Sequence, residues 1–67
     1  MSTYTYYFLD SDGYIPSFEI SEFAYDHEAC EKAPDLLRQR PARRAVEVWR
    51  ESTCLRTFRR EALKRAG

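Results

Sequence analysis

Two short stretches of this 67-residue sequence contain the residue types that bind metal ions or perform catalysis. In the first, Asp10 and Asp12 precede Gly13, as at the start of a calcium-binding loop. An EF-hand loop also requires a bidentate glutamate at its twelfth position, and the residue there, counted from Asp10, is Ser21. The flanking residues favour strands rather than helices. We therefore predict that Asp12 and Gly13 turn a hairpin without holding a metal ion, since both tolerate a positive φ angle.

The second stretch contains the one histidine of the chain and one of its two cysteines. His27 and Cys30 lie one helical turn apart, and Cys54 is a third potential zinc ligand. Structural zinc sites normally have four ligands, often in paired Cys-x-x-Cys spacing, and that spacing is missing. The same residues lack the orienting third group and the oxyanion site that a Cys–His nucleophile needs. We therefore predict no metal site, no cofactor and no enzymatic activity.

The length of the chain predicts one small domain over residues 1–67. Such a chain buries only roughly 60% of the surface that its unfolded form exposes, so its stability needs support. Two cysteines make at most one disulfide, the amino terminus does not resemble a secretion signal, and no apolar run is long enough to span a membrane. We expect a cytoplasmic protein with reduced thiols, and self-association is the expected source of support.

The charges are strongly segregated along the chain. Residues 1–35 contain eight acidic residues and one basic residue, whereas residues 36–67 contain ten basic and three acidic residues. This asymmetry has two interpretations. It indicates either a basic surface for nucleic acid or a fold in which the two halves interleave and neutralise each other, as when early strands pair with late ones.

Aromatic and β-branched residues predict a first strand over residues 3–9, with apolar side chains on both faces. A second strand is predicted over residues 14–24, with Pro16 at an edge or a bulge because it lacks an amide hydrogen. A helix follows with Asp26 as its N-cap, and Pro34 is expected to kink this helix or split it in two. Because one helix covers only one face of the sheet, the other face is expected to meet solvent or another molecule.

Residues 44–60 predict a second hairpin around a two-residue turn, Glu51-Ser52. In this register five pairs lie opposite each other: Trp49 and Cys54, Val48 and Leu55, Glu47 and Arg56, Val46 and Thr57, and Ala45 and Phe58. The register places Trp49 and Phe58 on one face, beside the one pair of opposite charge. A shift of one residue would instead place Trp49 in the core beneath the helix.

The predicted order of elements is ββαββ, which gives an α+β fold: a four-stranded, mainly antiparallel sheet with one helix packed on one face. Three stretches also resemble a family of small uncharacterised proteins from alphaproteobacteria: YYFLDSDGYI, YDHEACEKA and VEVWRESTCLRTF. That family tends to have glycine in the turn after its Glu-Val-Trp strand, where this chain has Glu51, Ser52 and Thr53. The resemblance implies the ββαββ order and carries no activity with it.

Trp, Tyr and Arg are enriched at the energetically important positions of interfaces, and the chain has one Trp, five Tyr and nine Arg. We therefore predict a non-enzymatic protein-interaction module that forms a homodimer. Its predicted contact residues are Trp49, Phe58, Arg56 and Tyr7. The alternative is a small nucleic-acid-binding protein, in which arginines neutralise phosphates and aromatic side chains stack on bases. The arginines predicted for that role are Arg43, Arg44, Arg59 and Arg60.

Overall fold

The computed structural model describes residues 1–15 and 17–61. In chain order the elements are β1 Ser2–Leu9, β2 Ser17–Phe23, α1 Asp26–Arg38, β3 Ala45–Arg50 and β4 Thr53–Arg59. The strands form one sheet in the order β2-β1-β3-β4, and every neighbouring pair is antiparallel. The predicted ββαββ order and α+β class are therefore confirmed. The prediction for Pro16 lies outside the described residues.

The core lies between α1 and one face of the two central strands. Successive side chains of a strand point to opposite faces of the sheet, so alternate residues of β1 and β3 enter the core. Its buried side chains are Tyr4, Tyr6 and Phe8 of β1, Ala29, Ala33, Leu36 and Leu37 of α1, and Val46 and Val48 of β3. The buried hydroxyl of Tyr6 donates a hydrogen bond of 2.7 Å to the carbonyl oxygen of Ala29. Burial also raises the pKa of Tyr6 to about 12, so this donor keeps its proton.

The acidic and basic halves of the chain interleave in the sheet. The early strand β1 pairs with the late strand β3 along its length. Two ion pairs also join the halves: Arg40 Nη2 lies 2.8 Å from Glu19 Oε1, and Arg50 Nη1 lies 2.6 Å from Asp26 Oδ2. The guanidinium of Arg40 also lies over the ring of Phe8, 4.1 Å from its centroid. The two halves of the chain therefore interleave, as the second interpretation of the charge asymmetry predicts.

The helix differs from its prediction in two respects. It runs continuously through Pro34 over Asp26–Arg38, so of the two predicted outcomes, a kink or a split, the split is wrong. The N-cap is Tyr25 rather than Asp26, and the backbone amide of Tyr25 donates to Glu28 Oε1 at 3.1 Å. Asp26 does not act as the cap because its carboxylate accepts hydrogen bonds from side chains of β1 and β3 instead.

The Asp-rich stretch forms a turn, as predicted. Asp10 Oδ1 accepts hydrogen bonds from the backbone amides of Asp12 and Tyr14, at 3.0 and 3.2 Å, and Gly13 has a φ of 79°. The backbone amide of Asp10 donates to the carbonyl of Tyr14 at 3.1 Å. Because these bonds close the loop on itself, β2 begins at Ser17 rather than at Tyr14.

The second hairpin has the predicted two-residue turn but a different register. Trp49 lies opposite Cys54, as predicted, and the register then shifts, so that Val48 pairs with Arg56 and Val46 with Phe58. Leu55 is left as the extra residue of a β-bulge. The bulge turns Leu55 and Phe58 toward the core, against which both pack. The bulge thereby buries apolar surface that the predicted register would leave exposed to water.

This shift overturns two consequences of the predicted register. Phe58 does not share a face with Trp49, because it lies opposite Val46 on the helix-covered side. Glu47 and Arg56 do not form a cross-strand ion pair, since Glu47 pairs with Thr57 on the other face.

The turn itself contains a strained residue whose replacement is expected to stabilise the protein. Glu51 has a φ of 54°, a left-handed conformation that costs a non-glycine residue about 1–2 kcal/mol. Glycine avoids that cost but loses about 0.5–1 kcal/mol more backbone entropy on folding. We expect Glu51→Gly to raise the free energy of unfolding by roughly 0.5–1 kcal/mol in urea denaturation. The matched Ser52→Gly change relieves no such strain and should lower the free energy of unfolding. Equal effects of the two substitutions would contradict this explanation.

Candidate interaction surface

The helix covers only one face of the sheet, and the other face is termed the open face. Cross-strand pairing arranges its side chains in four rows that run from the β2 edge toward the β4 edge. The first row contains Glu22 and Thr3; the second Ile20, Thr5, Trp49 and Cys54; the third Phe18, Tyr7, Glu47 and Thr57; and the fourth Leu9, Ala45 and Arg59.

Apolar side chains of three adjacent strands meet at the centre of this face. The Tyr7 ring centroid lies 6.2 Å from that of Phe18 and 6.1 Å from that of Trp49, the latter in an edge-on arrangement. Phe18 and Ile20 are 62% and 57% exposed, although both are large apolar residues. Tyr7, Phe18, Ile20 and Trp49 are called the aromatic patch. Contiguous exposed apolar patches are uncommon on monomeric proteins, which makes the aromatic patch the candidate interaction surface.

A hydrogen bond holds the indole of Trp49 in place on this face. Its Nε1 donates to Glu47 Oε1 at 3.0 Å, two residues earlier on the same strand. Both side chains are half-buried, so the indole is packed against Tyr7 on one side and tethered on the other. A side chain that is already ordered loses less entropy on binding.

The structure separates the four predicted contact residues into two pairs. Tyr7 and Trp49 lie together on the open face, so the alternative that places Trp49 beneath the helix is wrong. Phe58 and Arg56 lie on the helix side, where the Arg56 guanidinium is 5.4 Å from the Phe58 ring centroid. The prediction that all four form one surface is therefore wrong, and the bulge at Leu55 is the cause.

Two residues of the aromatic patch were not among the predicted contact residues. Phe18 and Ile20 alternate with polar residues along β2, and this pattern places them on one face of the strand. The same pattern would fit a strand whose Phe18 and Ile20 face the helix. Their exposure follows from the pairing with β1, in which Phe18 lies opposite Tyr7 and Ile20 opposite Thr5, both on the open side.

Internal contacts engage two of the four arginines predicted to bind nucleic acid. The guanidinium of Arg60 donates to three backbone carbonyls, those of Leu37, Arg40 and Arg43, at 2.7 to 2.8 Å. It thereby joins the last turn of α1 to the segment that follows it, where the carbonyls of Leu37 and Arg40 also accept backbone amides at 3.0 Å. Arg44 lies 3.6 Å from the carboxylate of Glu61. Arg59 is exposed on the fourth row of the open face, apart from the helix end that Arg60 occupies.

A second polar cluster joins the start of α1 to the sheet. Tyr4 Oη donates to Asp26 Oδ1 at 2.6 Å, and Arg50 Nη1 donates to both carboxylate oxygens of Asp26. The hydrogen bond from Tyr4 lowers the pKa of Asp26, and Arg50 lowers it further. The same contacts raise the pKa of Tyr4 and of Arg50. All three groups are engaged with one another, which makes this cluster structural.

The potential zinc ligands do not come together. His27 and Cys30 line a groove of about 680 Å³ between α1 and β4, whereas Cys54 lies on the open face opposite Trp49. Burial raises the pKa of the Cys30 thiol, which disfavours the nucleophilic thiolate. Within residues 1–15 and 17–61, no three His, Cys, Asp or Glu side chains are grouped so as to hold a metal ion.

Comparison with known proteins found no protein-family model, curated protein or solved structure that matches the chain. The resemblance to the alphaproteobacterial family therefore stays a prediction. In the part of the chain that the structure describes, no helix combines the length and the apolar character needed to cross a bilayer.

Proposed function

We propose that this protein is a small non-enzymatic interaction module that forms a homodimer by packing its aromatic patch against the same patch of a second copy. The observation that carries the proposal is the position of the patch, at the centre of the sheet face that the helix leaves uncovered. A two-fold symmetric contact buries this surface on both copies at once.

The free energy available from the patch is sufficient for a weak dimer. Full burial of a Phe or Ile side chain contributes about 1.5–3 kcal/mol. Phe18 and Ile20 are roughly three-fifths exposed, so the four such side chains of a dimer would contribute about 4–7 kcal/mol. The remaining exposed surface of Tyr7 and Trp49 adds to this. Association costs at least about 4 kcal/mol. The surplus from Phe18 and Ile20 is therefore at most about 3 kcal/mol, and with the contribution of Tyr7 and Trp49 added we expect a dissociation constant in the millimolar range.

Nucleic-acid binding has less support from the contacts. Arg60 is engaged by three carbonyl oxygens and Arg44 by a carboxylate. Ion pairs between the two halves of the chain also reduce the field that phosphates would meet. Of the four arginines predicted for this role, Arg44 and Arg59 are exposed, whereas Arg43 and Arg60 are partly buried. Two exposed positive charges supply little of the affinity that phosphate neutralisation provides.

The proposal is tested by measuring the solution mass by light scattering over a concentration series, in reducing buffer because Cys54 is exposed. We expect the wild type to pass from monomer to dimer as its concentration rises. Trp49→Ala and Phe18→Ser should shift this transition to at least tenfold higher concentration, a loss of about 1.4 kcal/mol of binding. Thermal unfolding at low concentration checks that each variant still folds. Phe18→Ser should fold, since Phe18 is largely exposed.

Tyr25→Ser is the matched control, because Tyr25 is an equally exposed aromatic residue at the start of α1, away from the open face. It should leave the dimer unchanged. A wild type that stays monomeric at every concentration would overturn the proposal, as would a dimer that Phe18→Ser and Tyr25→Ser weaken equally.

A further inference from the structure

The charged residues of the open face lie at positions that distinguish among the possible dimers. Glu22 lies in the first row at the β2 edge, and Arg59 lies in the fourth row at the β4 edge. Both are exposed, and they occupy diagonally opposite corners of the face. The third charge, Glu47, lies near the centre and accepts the hydrogen bond from Trp49.

Two copies that pack face to face are related by a two-fold axis lying in the interface plane. An axis parallel or perpendicular to the strands brings neither Glu22 nor Arg59 opposite a charged residue. An axis along the diagonal that joins these two corners places each residue opposite its own counterpart, which sets like charges against each other. An axis through the centre of the face and perpendicular to that diagonal exchanges the two corners, so that Glu22 faces the partner's Arg59 and the reverse.

We infer that the dimer uses this last axis, with Glu22 of each copy opposite the partner's Arg59 and the strands of the two sheets crossing at roughly 70°. The inference rests on the self-association proposed above and specifies its geometry. This angle is closer to the orthogonal than to the aligned class of face-to-face sheet packing. Complementary charges at the rim of an interface select the register and exclude competing arrangements.

The uncharged residues of the face are also compatible with this axis. Tyr7, Trp49 and Phe18 lie close to this axis, since neighbouring strands are about 4.8 Å apart and same-face rows about 6.7 Å apart. Each of the three therefore meets its own counterpart in the partner, which sets apolar surface against apolar surface, and edge-on aromatic contacts are favourable there.

Glu47, the acidic residue near the centre of the face, also lies opposite a hydrogen-bond donor of the partner. The axis brings Glu47 opposite the partner's Thr5, a hydroxyl donor from the second row. A carboxylate that enters an interface must keep its hydrogen bonds. Glu47 has Trp49 Nε1 within its own chain, and the partner's hydroxyl supplies a second donor.

The inference is tested by exchanging the two corner charges. Glu22→Arg and Arg59→Glu, each alone, set like charges against each other at both corners of the dimer. We expect each to raise the dissociation constant about tenfold at low salt, and less at high salt because exposed charges are screened. The double variant restores opposite charges and should bind within about threefold of the wild type.

Mixing the two single variants provides the sharper measurement. Each corner of the mixed dimer then contains one acidic and one basic residue, so a heterodimer should form at concentrations where each variant alone is monomeric. The controls are Glu31→Arg and Arg38→Glu, whose positions lie on α1, away from the open face. They change the net charge by the same amounts as Glu22→Arg and Arg59→Glu, respectively. They should not alter the dimer.

The outcomes separate this inference from the proposal on which it rests. If the wild type does not dimerise, self-association itself is wrong. If the wild type dimerises through the aromatic patch while the corner variants behave like the α1 controls, self-association stands and the crossed arrangement is wrong. Loss of dimer in both single variants without rescue on mixing would also overturn the corner pairing.

Discussion

Replacing Arg60 with alanine should lower the free energy of unfolding by about 2–3 kcal/mol, because a hydrogen bond that involves a charged group contributes about 1.5–3 kcal/mol. The carbonyls of Leu37 and Arg40 keep a backbone amide donor at 3.0 Å after the substitution, which keeps the loss below the sum of three such bonds. The guanidinium of Arg60 donates to three carbonyls, of Leu37, Arg40 and Arg43, at 2.7 to 2.8 Å. These bonds tie the end of β4 to the end of α1. A cation at this position also interacts favourably with the helix dipole.

Such a loss would be a large part of the stability of a chain this short, for which about 3–10 kcal/mol is typical. Urea denaturation at a concentration where the protein is monomeric measures it without a contribution from association. Arg38→Ala is the matched control: Arg38 makes one exposed ion pair with Asp35, which is worth about 0.5 kcal/mol or less. Equal effects of the two substitutions would show that Arg60 does not cap the helix.

Arg60→Lys gives a graded test of the same contact. Lysine keeps the charge but cannot present the planar fork that reaches several carbonyls at once. We therefore expect it to recover part of the stability lost in Arg60→Ala. Full recovery would mean that charge alone, rather than the fork of hydrogen bonds, stabilises the helix end.

Replacing Pro34 with alanine should raise the free energy of unfolding by about 2 kcal/mol. Pro34 is the ninth of thirteen residues in α1, so it has no amide hydrogen for the carbonyl of Cys30 and its ring crowds the preceding turn. Proline is about 3 kcal/mol less favourable than alanine in a helix interior. Part of the gain, about 0.4–1 kcal/mol, is offset because alanine makes the unfolded chain more flexible.

Pro41→Ala is the internal comparison for this prediction. Pro41 lies in the exposed turn after the helix, where it restricts the unfolded chain without breaking a helical hydrogen bond. The same change should therefore lower the stability there, by about 0.5–1 kcal/mol. Thermal melts of the two variants should move in opposite directions. A decrease with Pro34→Ala would mean that the proline ring makes packing contacts in the groove between α1 and β4 that outweigh its helical cost.

The fold class followed from local patterns in the sequence. The aromatic and β-branched composition of residues 3–9, the Asp12-Gly13 turn and the helical spacing after Asp26 each depend on residues close together in the chain. Such signals also predicted the two-residue turn at Glu51-Ser52 correctly. Where local signals conflicted with long-range contacts, the predictions were wrong: the helix continues through Pro34 because the apolar residues on both sides of it pack on the same sheet.

Which residues form the candidate surface could not be predicted from local patterns, because it depends on how the strands pair. Alternation along β2 places Phe18 and Ile20 on one face, but only the pairing of β2 with β1 decides that this face is the open one. Likewise, the strand pattern of β4 does not reveal a bulge, because the bulge arises where Leu55 and Phe58 can both bury apolar surface against α1 and β3. That single inserted residue removed Phe58 and Arg56 from the predicted contact surface.

The sequence by itself determined the order of strands and helix, the two turns and the presence of more aromatic side chains than one helix could cover. These features rest on backbone preferences and on periodicities of a few residues. Only the tertiary structure decided which aromatic residues remain exposed and which arginines are engaged. Both depend on contacts between segments far apart in the chain, such as Arg60 with the end of α1 and Tyr7 with Phe18 and Trp49. Such contacts leave no local trace in the sequence.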